Sequence, residues 1–227
     1  MNDQFKLEKK DGVAVLAFNR PEKRNPLNED SISALYDHLA VLRDDSEVRA
    51  LVLTGSGRAF SVGADMSHMK GVTDEAERQR LFGSIAPRRR QLVRRTMEFI
   101  VNLELPTVAA VNGFAVGGGW FLALSCDLRI AVEGAEFWMP EIDLGVPGPR
   151  EPERRLREEV GIARAKEIIL TCRHFKSEEL YQWGLLNRVV KKDELMPAAM
   201  ELAGYLASRK RSAMVQAKAH LNGFTLD

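Results

Sequence analysis

The chain has 227 residues, 45% of them hydrophobic, and a formal charge of +1. This length fits one large domain, or one domain with a short appendage, and the composition allows a sizeable core. A charge so close to zero provides no overall field that would recruit nucleic acid or an anionic membrane. The N-terminal residues lack the apolar core of a signal peptide, and no apolar run approaches the ~20 residues that span a bilayer. We therefore expect a cytoplasmic protein.

The first part of the chain is predicted to form a strand–helix–strand unit. Short apolar, β-branched runs at 12–18 and 48–55 end in turn residues, as strands do. Between them, apolar residues recur at helical spacing after Asn28, a candidate N-cap. A connection of this kind favours parallel pairing of the two strands.

The rest of the chain is predicted to continue with strands around a glycine-rich turn and then with helices only. The α/β units therefore come first, and a helical C-terminal part follows. The predicted elements are a strand at 107–113, a helix from Trp120 to Ser125, two short strands around Gly134, and helices from Gly161, from an N-cap at Ser177, over 194–209 and over 213–221.

Several common binding and catalytic motifs are absent. Gly55-x-Gly57 is followed by Phe60 where a dinucleotide fingerprint needs its third glycine, and neither glycine-rich stretch ends in Gly-Lys-Ser/Thr. The sequence contains no His-Glu-x-x-His and no Gly-x-Ser-x-Gly. Cys126 and Cys172 have no metal-ligand spacing and are predicted to be buried, reduced thiols. We therefore expect no metal site.

The arginine-rich run at 87–95 is predicted to form the solvated face of an amphipathic helix. Contact with an anionic ligand or with another subunit is the alternative. The four histidines are scattered and predicted to be structural or exposed, although His68 stands out because it follows a glycine-containing loop.

Two segments each combine a strand with a glycine-containing loop: GRAFSVGADM at 57–66 and NGFAVGGGWF at 112–121. Each exposes backbone N–H groups at a loop or helix start, and such groups suit a developing negative charge. If the two loops meet at adjacent strand ends, their N–H groups form an oxyanion hole. The alternative is that Gly117 to Gly119 only permit tight packing of a helix on a strand.

Taken together, the two loops resemble the signature of the crotonase, or enoyl-CoA hydratase/isomerase, superfamily. The segments 20–28, 140–145 and 163–190 resemble further family segments in the same order, so the resemblance covers essentially the whole chain. It implies an α/β spiral of ββα units over 1–190 and a short helical region over 191–227. It also implies an acyl-CoA thioester substrate, no separate cofactor, and a homotrimer or a dimer of trimers.

The resemblance also implies roles for individual residues. The oxyanion donors fall on the N–H groups of Ala64 and Gly118, and a catalytic glutamate of the family falls on Glu141. Contacts to the adenine and phosphates of coenzyme A fall on Lys23, Arg24 and Leu27. The other substrate-binding positions are Ala59, Ser61, Gly63, Asp65, Met66, Gly117 and Phe121.

Hydratases of the family use two glutamates, and this sequence matches one of them. Phe121 occupies the other position, where it can neither accept a proton nor orient a water molecule. Since one positioned acid/base group contributes roughly 10²–10⁴-fold, ordinary hydration is disfavoured. One carboxylate is sufficient to move a proton from C2 to C4 of a 3-enoyl-CoA, so the sequence favours an enoyl-CoA isomerase with Glu141 as proton shuttle. Trp120 and Trp138 either shape the acyl pocket or pack in the core.

One departure from the family pattern lies after Glu141. The family has a glycine-rich helix start where this chain reads Pro149-Arg150-Glu151-Pro152, so Arg150 or Glu151 could enter the site.

Two alternatives to isomerisation stay open. One is another reaction through the same enolate: atypical hydration, decarboxylation, thioester hydrolysis or carbon–carbon bond chemistry. The other is acyl-CoA binding without turnover.

Overall fold

The computed structural model describes residues 4–67, 71–74, 76–77, 87–145 and 150–223, without the side chains of 87–90 and Glu151. His68, singled out above, lies outside these residues. The strands are β1 (Phe5–Lys10), β2 (Val13–Phe18), β3 (Ala50–Gly55), β4 (Ala59–Ser61), β5 (Thr107–Val111), β6 (Phe114–Val116), β7 (Leu128–Val132), β8 (Glu136–Trp138), β9 (Phe175–Lys176) and β10 (Arg188–Val190). The helices are α1 (Glu29–Asp44), α2 (Pro87–Asn102), α3 (Gly118–Ser125), α4 (Arg150–Thr171), α5 (Ser177–Gln182), α6 (Leu195–Ala207) and α7 (Arg211–Leu221).

The strands form two sheets, and the chain passes repeatedly from one to the other. The larger sheet has the order β1-β2-β3-β5-β7-β10 and the smaller one the order β4-β6-β8-β9. Three consecutive units, β3-β4-α2, β5-β6-α3 and β7-β8-α4, each place one strand in each sheet before a helix. The predicted α/β spiral of ββα units is therefore confirmed.

The first unit folds as its sequence predicts. Asn28 is the N-cap of α1: its side chain accepts from the Ser31 N–H, and the Ser31 hydroxyl accepts from the Asn28 N–H, both at 2.8 Å. Strands β2 and β3 pair in parallel, as the strand–helix–strand connection requires. The sequence reading missed β1, which adds antiparallel to β2 at the edge of the sheet. Its lysine- and glutamate-rich sequence is typical of an edge strand.

The structure adds detail to three predicted elements. Helix α4 consists of two helical segments that meet at a kink at Gly161 (φ 77°, ψ 163°). The second segment is the helix predicted from Gly161, and the first, which begins at Arg150, was not predicted. Lys176 is the N-cap of α5, because the buried Ser177 hydroxyl donates to the Val132 carbonyl at 2.9 Å. The two strands around Gly134 exist, but β7 joins the larger sheet and β8 the smaller one.

Of the two C-terminal helices, α6 packs against the larger sheet and α7 against the connection between α2 and β5. Helix α6 contacts β3 and β5. Helix α7 is fixed by the buried Lys218, whose ammonium group lies 2.8 Å from an Asp127 carboxylate oxygen and donates to the Leu105 carbonyl at 2.9 Å. Among the residues described, no helix is both long and apolar enough to cross a membrane.

The thiol prediction is confirmed, and the arginine-rich run is described in part. In α2, Arg94 and Arg95 are exposed, and Arg94 donates to Glu98 at 2.7 Å, as in a solvated helical face. The side chains at 87–90 lie outside the described residues, so the choice between a solvated face and a contact with an anionic ligand or subunit stays a prediction. Cys126 and Cys172 are buried free thiols. Burial raises the pKa of the Cys126 thiol to about 12, so this group stays protonated at neutral pH.

Candidate active site

The two glycine-containing loops meet between the strand ends, as the oxyanion-hole hypothesis requires. A β-carbon placed on Gly63 would lie 2.5 Å from the Val116 carbonyl oxygen and 3.1 Å from the Gly118 nitrogen. Gly63 also has a positive φ of 73°. Only glycine fits so close an approach in this conformation. The backbone at 63–64 therefore lies directly against the start of α3.

The N–H group of Ala64 faces away from its neighbouring strand. Leu27 N donates to the Gly63 carbonyl at 2.7 Å, and Asp65 N donates to the Leu27 carbonyl at 2.8 Å. These bonds, which form an isolated parallel bridge between Leu27 and Ala64, use the peptide groups on either side of Ala64. Its own N–H therefore points to the opposite side. No described residue accepts a hydrogen bond from it.

The N–H group of Gly118 is the second donor that has no acceptor among the described residues. Gly118 is the first residue of α3, and Gly117 is its N-cap. An N–H in the first turn of a helix has no partner within the helix, and the helix dipole gives this end a partial positive charge. Because Gly118 lies against Gly63, the two loops bring both donors to one place.

Each of the three consecutive glycines has its own physical reason. A β-carbon on Gly119 would lie 2.3 Å from the Ser61 carbonyl oxygen, so this residue serves helix–strand packing. Gly118 packs under Leu27, whose Cδ1 would lie 3.3 Å from an added β-carbon. Gly117 has a φ of 47°, and its added β-carbon would lie 2.7 Å from a Glu141 carboxylate oxygen. The packing alternative thus explains Gly119, whereas Gly117 makes room for the carboxylate.

Glu141 lies in a turn after β8, closed by a 3.0 Å hydrogen bond from Leu144 N to the Pro140 carbonyl. Its side chain is half-buried, and its Oε2 atom is buried without a hydrogen-bond partner in the part of the chain that is described. Burial raises the pKa of this carboxyl from 4.5 to about 7; the negative charge of Glu153 adds to the rise, and a hydrogen bond from its own N–H opposes it. The group can accept and release a proton near neutral pH.

The sequence reading did not single out Glu153. It lies in the second turn of α4, is half-buried, and precedes the fully buried Leu156 by three residues, which places both on the inward face of the helix. Of the two residues expected to enter the site, Arg150 is exposed and the Glu151 side chain lies outside the described set. The spacing of three residues between Glu153 and Leu156 would have indicated that both lie on one helix face. That inference depends on a helix beginning before Gly161, which was not predicted.

The expected coenzyme A contacts differ in accessibility. Lys23 and Arg24 are exposed at a 3₁₀ turn, Pro21–Lys23, and the Arg24 guanidinium lies 5.6 Å from the centre of the Phe114 ring. Leu27, in contrast, is buried against Gly118. The two cations are therefore accessible to phosphate groups, and the contacts of all three residues with coenzyme A stay predictions.

Three further predicted contacts have little accessible side-chain surface, and their part in substrate binding stays a prediction. The side chains of Ala59 and Ser61 are fully buried, and Phe121 is 1% exposed within the hydrophobic core. Asp65 and Met66 are half-buried beside Ala64 and keep some accessible surface.

The two tryptophans, Trp120 and Trp138, differ in burial and packing. Trp120 is buried and packs edge-on against Phe137 at 5.4 Å, so it belongs to the core. Trp138 is half-buried and stacks in parallel on His174 with ring centres 4.1 Å apart. Within the described ranges, no group of histidine, cysteine, aspartate and glutamate side chains has the arrangement of a metal site.

Two unpaired backbone donors beside a half-buried carboxylate, carried on a two-sheet spiral, define a protein of the crotonase class. Comparison with known proteins narrows this class. The family model described as enoyl-CoA hydratase/isomerase matches residues 8–225. The short-chain-enoyl-CoA hydratase of Clostridium acetobutylicum is 39% identical over 218 residues, which cover 95% of this chain and 80% of that protein. The chain therefore belongs to the enoyl-CoA hydratase/isomerase family.

Solved structures with similar folds carry both activities in their names. The enoyl-CoA hydratase of Bacillus anthracis matches with a TM-score of 0.86 and 32% identity, covering 99% of this chain and 84% of that one. A monofunctional enoyl-CoA isomerase from M. smegmatis matches with a TM-score of 0.78 and 31% identity, covering 97% and 92%. The overall fold is thus common to both reactions, and the choice between them depends on the site residues.

Proposed function

We propose that the protein binds an acyl-CoA thioester and converts a 3-enoyl-CoA into the 2-enoyl-CoA. The observation that carries this proposal is the single carboxylate of Glu141, with a buried unpaired oxygen and a pKa raised to about 7, beside two backbone donors. The position one helical turn after Gly117, where hydratases resembling this chain have a second glutamate, holds the buried Phe121. Such a site favours transfer of a proton over activation of water.

In the proposed reaction, the N–H groups of Ala64 and Gly118 hold the thioester oxygen. Ionised Glu141 removes a proton from C2, and the electron pair moves to that oxygen to give a dienolate. The same carboxyl then returns the proton to C4, the oxygen's electron pair re-forms the carbonyl, and the double bond ends between C2 and C3. Each backbone donor is expected to lower the barrier by about 3–4 kcal/mol. The reaction consumes no water and needs no cofactor besides the coenzyme A of its substrate.

Hydration is the second candidate, and one observation favours it. Glu153 places a second carboxylate near Glu141, close enough for its charge to raise the Glu141 pKa. A water molecule held between these two groups would have an acceptor and a proton donor. Relatives named as hydratases, including the crotonyl-CoA hydratase of Syntrophomonas wolfei at 37% identity, add weight to this candidate.

Product mass and isotope position distinguish the two reactions. We expect a 3-enoyl-CoA deuterated at C2 to give a 2-enoyl-CoA in which part of the deuterium has moved to C4, because one carboxyl carries it between the carbons. Hydration of a 2-enoyl-CoA would instead add the mass of one water. Brisk hydration without a double-bond shift would refute the isomerase proposal and favour the second candidate.

Single substitutions test whether Glu141 is the catalytic base. Glu141→Gln should abolish deuterium transfer while leaving acyl-CoA binding largely intact. Glu136→Gln is a matched control, because Glu136 lies at the other end of β8 and pairs with Lys176 at 2.6 Å. Wild-type turnover by Glu141→Gln would show that the base is another residue. Thermal stabilisation by acyl-CoA esters, with no ester converted, would indicate a binding protein.

A further inference from the structure

Asp65, the residue after the Ala64 donor, is engaged with the protein itself. One carboxylate oxygen lies 3.3 Å from the Arg20 guanidinium, and the other accepts from Ser67 N at 3.1 Å. The side chains of Arg20 and Asp65 are only 18% and 13% exposed. An ion pair so well shielded from water is screened less than a surface pair and holds its geometry better.

The turn that carries Arg20 is itself fixed by a buried amide. Arg20 N donates to the Asn25 side-chain oxygen at 2.8 Å, and Asn25 is 1% exposed. The Asn25 amide nitrogen donates to the carbonyls of Ser56 and Ala59 at 3.0 and 2.8 Å. The Ser61 hydroxyl donates to the Asn25 carbonyl at 2.7 Å. The 20–25 turn is thereby tied to the end of β3 and to β4.

This turn is hydrogen-bonded to the segment that presents the Ala64 N–H. Val62 N donates to the Arg24 carbonyl at 3.2 Å, and the Leu27 bridge holds the peptide groups on both sides of Ala64. The Arg20–Asp65 pair is the side-chain contact that fixes the segment beyond the bridge. A hydrogen-bond donor that must meet a developing charge is effective only when its direction is set before the reaction.

We propose that Arg20 and Asp65 are positioning residues, whose ion pair fixes the direction of the Ala64 N–H toward the thioester oxygen. The inference rests on the proposed function, because it assigns these residues a part in enolate stabilisation. That Asp65 also lines the path of the pantetheine arm stays a separate prediction from the family resemblance. Arg20 has a second effect: its positive charge neutralises a carboxylate that would otherwise oppose negative charge on the nearby oxygen.

The test measures how strongly the protein polarises the carbonyl of a bound thioester, in a variant that does not convert it. A conjugated dienoyl-CoA absorbs at longer wavelength when hydrogen bonds polarise its carbonyl, and a Glu141→Gln background keeps it unconverted. In that background we expect Arg20→Gln to lose most of the wavelength shift, and Arg20→Lys, which keeps the charge, to retain most of it. In the otherwise native chain, Arg20→Gln should lower kcat roughly 10-fold or more with little change in KM, a part of what complete loss of one donor costs.

Asp65→Ser breaks the same pair from the other side and keeps the test decisive if Arg20→Gln does not fold. It should also lose kcat and wavelength shift, but less than Arg20→Gln, because it leaves no uncompensated carboxylate. Glu136→Gln, which removes a carboxylate paired with Lys176, is the control and should change neither. A full wavelength shift and native kcat in folded Arg20→Gln or Asp65→Ser would overturn the inference. No shift in the Glu141→Gln parent would instead refute the oxyanion hole and, with it, the proposed function.

Discussion

Replacing the proposed base should make the protein more stable in alkaline solution. Glu141 is half-buried, and its Oε2 has no hydrogen-bond partner among the described residues, so its ionised form is poorly solvated in the fold. Glu141→Gln keeps the shape of the side chain and removes the charge. We therefore expect this variant to lose activity and to gain stability above neutral pH, since the native site keeps a carboxylate where burial disfavours it.

The size of the effect follows from the pKa. Burial raises the Glu141 pKa from 4.5 to about 7, so the folded chain binds this proton more tightly than the unfolded chain does. The stabilisation from the bound proton is complete below pH 4.5 and is lost as pH rises through about 7. Between about pH 5 and about pH 9 the loss amounts to about 2.5 kcal/mol. The Gln variant has no such proton, so its stability relative to wild type should rise by that amount over this range.

Reversible urea unfolding at the two pH values, at one protein concentration, measures this difference. Comparing the change with pH cancels any constant effect of the substitution. Glu136→Gln is the control. The hydrogen bond from Lys176 lowers the Glu136 pKa below 4.5, so wild type loses the benefit of that charge only in more acid solution, and the stability difference between this variant and wild type should stay nearly constant between the two pH values. If the stability of Glu141→Gln relative to wild type does not rise with pH, the carboxyl titrates at an ordinary pKa and the argument for a tuned base is wrong.

Two further predictions concern the surroundings of the base and the helix that presents Gly118. Glu153→Gln should lower the Glu141 pKa, because it removes a negative charge that raises it; the acid limb of the pH profile of kcat/KM should move to lower pH, and an unmoved limb would contradict the coupling. Gly119→Ala should distort the start of α3 and reduce activity, because its β-carbon would lie 2.3 Å from the Ser61 carbonyl. Gly204→Ala is the matched helical control, since no atom lies within 4 Å of its added β-carbon, and urea unfolding should show a gain of roughly 0.5–1 kcal/mol.

The sequence predicts those features that depend on residues close together in the chain. Asn28 caps α1 through Ser31, three residues away, and both residue types are visible in the sequence. The two loops with their orphan N–H groups are likewise local motifs, since Gly118 begins a helix and Gly63 has a positive φ. Their meeting point could be expected because each loop follows a strand of the same parallel arrangement.

Features set by packing between distant segments escaped prediction. Ser177 looks like an N-cap, but its hydroxyl donates a hydrogen bond to the Val132 carbonyl, 45 positions earlier. Ser61 looks like a surface residue of a binding loop, yet it is fully buried between Asn25 and Gly119. Glu153 lies close enough to affect the Glu141 pKa because α4 begins 11 residues before Gly161. The prolines in that stretch argue against a helix when they are considered locally.

Gly117 joins the two halves of the proposed chemistry. A side chain there would displace the Glu141 carboxylate, and the next peptide group supplies the Gly118 N–H. The turn at Gly117 therefore carries one donor and contacts the base, which itself lies in the turn after β8. The Ala64 donor depends instead on the separate turn that carries Arg20 and Asn25. Because the Arg20–Asp65 pair does not contact Glu141, breaking this pair should weaken enolate stabilisation while leaving the titration of Glu141 unchanged, which separates the two contributions in one protein.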